Sequence, residues 1–556
     1  MEKATRPFTR VRHAMNRANT RLPIKAAAAL LAGSSLLASV LGLFRDRLLN
    51  STYGPNLVTG SVGYPVGLDA YTVAFIIPDF MFFLLTSGAL SVTFIPVFTE
   101  RLSGGNKASA WQLSYSMINI MALLTLIVSV LIIIFADVLV RLIWPGLDDS
   151  GHGLAASMMR VIAINPFVFA VASVIASMQQ AIGRFTFFAL APLIYNIGII
   201  IGITVFTNGI SLFGVQLFEG GIMGVALGVV LGSIMQLIVS ALGLIGMGFD
   251  YQFKIAWKNE GFRTVLRLLP ARSLDQGIDY INTLVETSLA SRMISGTIRN
   301  YQQALTLHMV PVTLIGVAIS TAAFPQMTER LSQGRPDLFR KELQMVLRVI
   351  VWLAMPTAVI TYFTRGYLAS FLFNGGKPIV ATTLGILTVA ILFRAVYHIA
   401  SRAFYAQQDT KTPLYISFFT IGLNIALAVM FTMQFNLGIY GLAWAQTIVA
   451  VVEVIVLFVI ISRRIKNLFD HAMRRALLLM SAASFVTGIV AFQTVTVFQL
   501  TVNDLSFASV FPKFFLVVLI SLSVYVGVCY RMHLREAHAV VEKLKQVLFV
   551  QLRNGR

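Results

Sequence analysis

The segment "GLFRDRLLN" (42–50) places Arg45, Asp46 and Arg47 near the end of an apolar run. Charges at that depth normally face water or a partner. An arginine there can offer a phosphate two parallel hydrogen bonds, with Asp46 orienting Arg45 or Arg47. The plainer reading is an interfacial anchor. Asp69 and Asp79 are ten residues apart, about 15 Å along a helix, too far for shared acid–base work on one substrate. Asp69 also suits a helix cap, whereas Asp79 follows Pro78 at greater depth. In "PARSLDQGIDYIN" (270–282), Asp275 and Asp279 share a helical face. With Asn282 and Asn424 they suit Na⁺ coordination or proton relay; a solvated helix start explains them equally well. Glu286 and Arg292 follow on the same run, and Arg299, Gln302 and Gln303 open the next one. Arg160, Arg394 and Arg402 fit headgroup snorkelling better than a cavity. His308 and His398 are isolated and read as packing residues.

No metal-ligand cluster, Walker loop or Rossmann fingerprint is present in the sequence. "GLDDSGHGL" (146–154) has a serine and a histidine but falls between apolar runs and reads as a turn. No catalytic residue, metal or cofactor is therefore expected, and nothing points to ATP hydrolysis. The chain reads as a transporter rather than an enzyme. Na⁺ or H⁺ coupling, the membrane potential or a downhill gradient would have to drive it.

The elements that hold these residues follow from composition. Of 556 residues, 57% are hydrophobic and 12% charged; mean hydropathy is +0.80. Soluble chains carry about 25% charged residues, so a soluble globular protein is excluded, as are disorder and, with Cys529 the lone cysteine, a disulfide scaffold. The net charge of +20 fits basic cytoplasmic loops and anionic membrane lipids better than nucleic acid. A membrane helix needs about 20 apolar residues. Fourteen candidates appear: 26–50, 68–100, 110–143, 154–178, 186–207, 220–247, 268–295, 298–328, 344–370, 379–405, 413–433, 438–461, 476–499 and 510–530. Continuous runs such as "ALLTLIVSVLIIIFADVLV" argue against a barrel. With both termini cytoplasmic, 31 of the 43 Lys and Arg fall in inside segments and three in outside loops, which fixes the orientation.

The chain also repeats itself. "IPVFTERLS" (95–103) matches "FPQMTERLS" (324–332) at an offset of 229, and Gln180–Asn196 matches Gln408–Asn424 at 228. The displacement is six spans, an even number, so the halves are parallel. Duplicated halves around a midplane site are a transporter architecture. The expected fold is an all-α polytopic membrane protein with about 14 transmembrane helices, as two parallel six-helix lobes plus two C-terminal helices. Its expected parts are a basic N-terminus (1–25), an N-lobe (26–247), a basic inter-lobe segment (248–272), a C-lobe (273–461), spans 13 and 14 (476–530) and a basic tail (531–556).

The segments "GLFRD" (42–46), "GLDAYTVAFIIPDFMFFLLTSGALSVTFIPVFTE" (67–100), "GRFTFFALAPLIYN" (183–196), "INTLVETSLAS" (281–291), "PVTLIGVAISTAAFP" (311–325) and "FYAQQDTKTP" (404–413) together resemble the MurJ/MviN family of the MOP exporter superfamily. The resemblance implies a flippase that moves lipid II, the undecaprenyl-pyrophosphate-linked peptidoglycan precursor, from inner to outer leaflet by alternating access. It implies two six-helix lobes around a cationic cavity, with the last two helices forming a groove for the polyprenyl tail. The family's span-1 Arg-Asp falls on Arg45 and Asp46 and its span-2 Asp on Asp69. Ser39, Phe82 and Thr306 stand where the family has further cavity arginines, and Ser87 where it has a glutamate. Arg47, Arg292 and Arg299 are the positions expected to substitute.

The expected location is the bacterial cytoplasmic (inner) membrane, as a monomer working beside cell-wall synthesis enzymes. The competing readings are a flippase for another polyprenyl-linked glycan, which the replaced arginines favour, and a MATE-like multidrug or cation antiporter, against which spans 13 and 14 argue. A third is a non-transporting scaffold that has lost its cargo site.

Overall fold

The computed structural model describes residues 24–54, 65–212, 215–374, 376–501, 503–542 and 546. The basic N-terminus up to residue 23 and most of the tail after residue 542 lie outside the described residues. Twelve helices among the described residues are long and apolar enough to cross a membrane. The two remaining expected spans are α1 (Ile24–Thr52) and α9 (Glu260–Ser291), which are helices of 29 and 32 residues. They are the spans that carry the Arg45 cluster and the Asp275–Glu286 acids.

The described chain divides into two compact units, residues 1–299 and 300–556. The first holds α1, then α2 (Val66–Phe82), α3 (Gly88–Ser103), α4 (Lys107–Ile143), α5 (Asp149–Ile162), α6 (Asn165–Ile182), α7 (Thr186–Thr204), α8 (Met223–Leu242) and α9. A hairpin of two short antiparallel strands, Ile210–Leu212 and Val215–Phe218, precedes α8. The division falls at Arg299 rather than within 248–272, because α9 packs on α3 and the turn before it. Trp144 Nε1 donates to Thr287 Oγ1 at 3.0 Å, and Tyr280 stacks on Phe83 at 4.8 Å.

Side-chain caps set several helix starts: Asn106 for α4, Asp148 for α5 and Asn259 for α9 each accept the backbone N–H three residues on. "GLDDSGHGL" is therefore not a simple turn. Asp148 starts a helix within it, and His152 Nε2 lies 2.9 Å from the Trp144 carbonyl. In α4 the exposed large apolar side chains run from Leu123 to Leu142. Those twenty residues span about 30 Å, the thickness of bilayer hydrocarbon, so the first four turns of α4 project beyond it.

The contact between α7 and α8 is made of glycine. A Cβ on Gly198 would overlap the Gly232 Cα, and one on Gly228 would overlap the Gly202 Cα. Small residues spaced by four let membrane helices meet at backbone distance. Gly228→Ala is expected to cost about 1–3 kcal/mol through overpacking, read as a lower unfolding temperature of the detergent-solubilised protein. An unchanged temperature would mean the two helices separate freely.

The second unit continues the helix begun by α10 (Thr297–Pro311) into α11 (Ala318–Ser332), followed by α12 (Pro336–Leu372), α13 (Pro378–Ala406), α14 (Lys411–Val429), α15 (Ile439–Arg464), α16 (His471–Val497) and α17 (Phe507–Arg531). Its core is built on Phe339, Ile399, Phe404, Leu457, Met480 and Tyr525. The extra helices α16 and α17 pack on α12. Between α13 and α14, Asp409 accepts from the Thr412 hydroxyl at 2.6 Å and from Arg464 at 2.7 Å. Desolvation pushes its carboxyl up, but the Thr412 and Arg464 hydrogen bonds outweigh that and hold it at about 2.

The repeat is visible in the backbone. α2 and α3 are joined by a π-helical turn, Phe83–Ser87, and α10 and α11 by another, Val312–Val317. They begin 229 residues apart, the offset of the sequence repeat.

Candidate functional site

Four of the sequence-nominated residues meet near the end of α1. Asp46 and Asn50 are one turn apart and share a face. Arg299 fills the space beside them: its Nε and Nη2 each donate to Asn50 Oδ1 at 3.1 Å, and Nη2 lies 3.3 Å from Asp46 Oδ1. Arg45 Nη2 approaches the same Asp46 oxygen at 3.2 Å. Its Nη1 donates to Asn196 Oδ1, on α7, at 3.0 Å. One carboxylate thus serves two guanidinium groups. Asp69 does cap a helix, but not its own: it accepts from Gly296 N at 2.5 Å and Arg299 N at 2.8 Å. It therefore caps the start of α10 and fixes the backbone that carries Arg299.

The two arginines are not equivalent. The Arg299 side chain is 6% exposed, whereas Arg45 keeps 23%. Arg45 Nε is buried and has no hydrogen-bond partner. Arg45 is therefore the cation of the cluster that keeps surface open to an anionic ligand. Arg299, nominated as a substitute for the replaced arginines, is instead bound into the protein through Asn50 and Asp46.

The remaining nominated residues are not part of these hydrogen bonds, although Tyr71 and Tyr195 lie within electrostatic reach of both Arg45 and Asp79. Arg47 is half-buried, and Arg292 ends α9 exposed. Asp79 is half-buried, about three turns along α2 from Asp69. Asp275 and Asp279 lie in α9, but their side chains are outside the described residues. Asn282 Nδ2 donates to Glu286 Oε1 at 3.2 Å, and Glu286 is buried. Asn282 belongs to the first unit and the buried Asn424 to the second. No group of three or more His, Cys, Asp or Glu among the described residues could hold a metal.

Three site residues escaped the sequence reading: Asn50, Asn196 and Glu453. Asn50 is a neutral side chain at a helix end and gave no signal. Glu453, a lone acid in "VVEVIVLF", could have been flagged by its cost in hydrocarbon. It changes the reading of Arg394, which does not snorkel. Arg394 Nη1 pairs with Glu453 Oε2 at 2.9 Å and Nη2 donates to Gln446 at 3.2 Å. Thr420 donates to the other Glu453 oxygen at 3.3 Å. Arg402 donates to Thr321 at 2.7 Å, and Arg160 pairs with Asp137 at the surface. His308 is buried and His398 half-buried, as packing residues should be.

The family model described as lipid II flippase MurJ matches residues 61–513. A protein of Thermotoga maritima named probable lipid II flippase MurJ is 26% identical over 462 residues, covering 82% of this chain and 88% of its own. Among solved structures, "Lipid II flippase MurJ, inward closed conformation" superposes with a TM-score of 0.71 at 23% identity, covering 90% of this chain and 99% of that one. An inward-facing multidrug resistance MATE family transporter of the MOP superfamily gives 0.66 at 17% identity, covering 80% of this chain and 99% of that one. At those identities the structures speak for the fold, and the MATE likeness ends there. With the family model spanning most of its length, this multi-pass membrane chain belongs to the MurJ family of lipid II flippases.

Proposed function

We propose that this chain carries lipid II from the inner to the outer leaflet of the bacterial cytoplasmic membrane by alternating access, with both termini cytoplasmic. A pyrophosphate headgroup cannot cross hydrocarbon without a substitute for its water and counterions. Arg45 supplies one, and the observation that carries the reading is its state: a guanidinium at membrane depth with residual exposure, held in place by Asn196 and Asp46. Asp46 and Asn196 position it, and Asp69 fixes Arg299 beside them. Cargo drives the cycle only through its different affinity for the two access states. The membrane potential, or Na⁺ or H⁺ bound near Asp275 and Asp279, supplies the bias.

A second reading keeps the mechanism and changes the cargo to another polyprenyl-linked glycan. The burial of Arg299 favours it, since one fewer arginine is then available to phosphate. Complementation separates the two. A bacterium depleted of its own lipid II flippase is expected to grow when it expresses this chain. Arg45→Ala should lose about 2 kcal/mol of headgroup binding, roughly thirtyfold, and with it the rescue. A parent chain that reaches the membrane and does not rescue points to the other cargo.

A further inference from the structure

The segment after α8 leaves the helix and returns along the basic-flanked end of α4. Asn119 Nδ2 holds the carbonyls of Gln252 and Lys254 at 2.9 and 2.8 Å. Ser116 Oγ accepts from Ala256 N at 2.8 Å, and Asn259 Nδ2 donates to the Ser109 carbonyl at 3.0 Å. The strap thus climbs α4 away from the bilayer. It closes an open cleft of about 790 Å³ lined by Arg101, Gln112, Trp257, Lys258, Asn259 and Glu260, among others. Ser109 and Gln112 lie 14 and 11 residues before Leu123, where the lipid-facing stripe begins. The cleft therefore sits about 16–21 Å beyond the hydrocarbon, clear of a headgroup layer about 6 Å deep.

Its chemistry is not that of a phosphate site. Two cations, Arg101 and Lys258, are offset by Glu260, and the rest of the polar lining is amide and hydroxyl. Trp257 is 54% exposed and touches Phe262 edge to face, 5.6 Å between centroids, so the contact leaves a ring face uncovered. An open aromatic face beside planar amides, a carboxylate and a guanidinium suits a neutral polyhydroxylated ring, whose C–H face packs on the indole while its hydroxyl and acetamido groups bond the rim. Arg101 is held for such a role. Its Nη1 donates to Ser109 Oγ at 2.7 Å, and its Nε is buried without a partner. It lies over Gly261, where a Cβ would strike the guanidinium.

We propose that this cleft docks the sugar portion of the lipid-linked headgroup on the side where cargo is loaded; the assignment rests on the flippase reading and on the cytoplasmic placement of the basic loops. With its phosphates in the headgroup layer, a polyprenyl-pyrophosphate glycan extends its sugars to the height of Trp257. The cleft then selects cargo by its glycan before the charged part moves.

The test uses the full chain in lipid nanodiscs, titrated with the soluble disaccharide N,N′-diacetylchitobiose and read by saturation-transfer NMR. The parent should bind weakly, and Trp257→Ala should weaken binding about tenfold. Gly261→Ala should weaken it as well, by displacing Arg101. Trp257 is exposed, so its loss leaves folding intact; an unchanged elution profile and melting curve verify that. Absence of parental binding, or equal binding by parent and Trp257→Ala, overturns the assignment. Rescue in the complementation assay without disaccharide binding removes the cleft and leaves the flippase reading standing. Disaccharide binding without rescue keeps the cleft as a glycan site and assigns it to another polyprenyl-linked glycan, so that the lipid II reading fails and the cleft assignment stands.

Discussion

Asp46→Ala is expected to destabilise the protein by about 3–5 kcal/mol, the cost of leaving buried charge without its counterion. Asp46 is the carboxylate shared by Arg45 and Arg299, at 3.2 and 3.3 Å. Asn50 still accepts from Arg299 after the change, and Asn196 from Arg45, but both acceptors are neutral. Two guanidinium groups then face each other with no acid between them. The measurement is the apparent melting temperature in detergent, together with the yield of folded protein. Asp46→Asn keeps an acceptor oxygen and should lose less. Arg299→Met introduced into Asp46→Ala should recover part of the loss, because the two sites share one interaction. Melting of Asp46→Ala with the parent would show that the cluster is hydrated and its charges do not depend on one another.

Glu453→Ala should be comparably damaging in the second unit. Glu453 is 4% exposed and holds Arg394 at 2.9 Å, while Thr420 occupies its other oxygen. Removing the acid strands Arg394 beside Gln446 and costs about 3 kcal/mol or more. Replacing both members with methionine is expected to return stability to within about 1 kcal/mol of the parent, since a buried pair gains little over apolar side chains of similar volume. A double variant as unstable as Glu453→Ala would show that the loss comes from packing around α13 and α15 rather than from unpaired charge.

Span number and duplication were legible because they are written in long apolar runs and in two motif pairs. The Arg45–Asp46 pair was legible for a different reason: charge in such a run is rare and costly. What the sequence hid is long-range pairing. Arg299 lies 253 residues from Asp46 and 230 from Asp69, and spacing alone does not connect them. Asn50 and Asn196 carry no charge to draw notice. The segment from 250 to 259 has neither helical nor strand periodicity. Its course is set by Asn119 and Ser116, polar residues on α4 that the pattern alone would assign to ordinary solvation.

The wide turns at Phe83–Ser87 and Val312–Val317 bear on how this protein arose. Each adds a residue to one turn and so rotates the helix beyond it by about 100°. They occupy equivalent places in halves that now share few identical side chains, so the irregularity was already present in the single ancestral copy. Divergence then rewrote the chemistry ahead of it, acidic at Asp69 and Asp79 on α2, basic and amide-bearing at Arg299, Gln302 and Gln303 on α10, while the backbone defect was inherited twice.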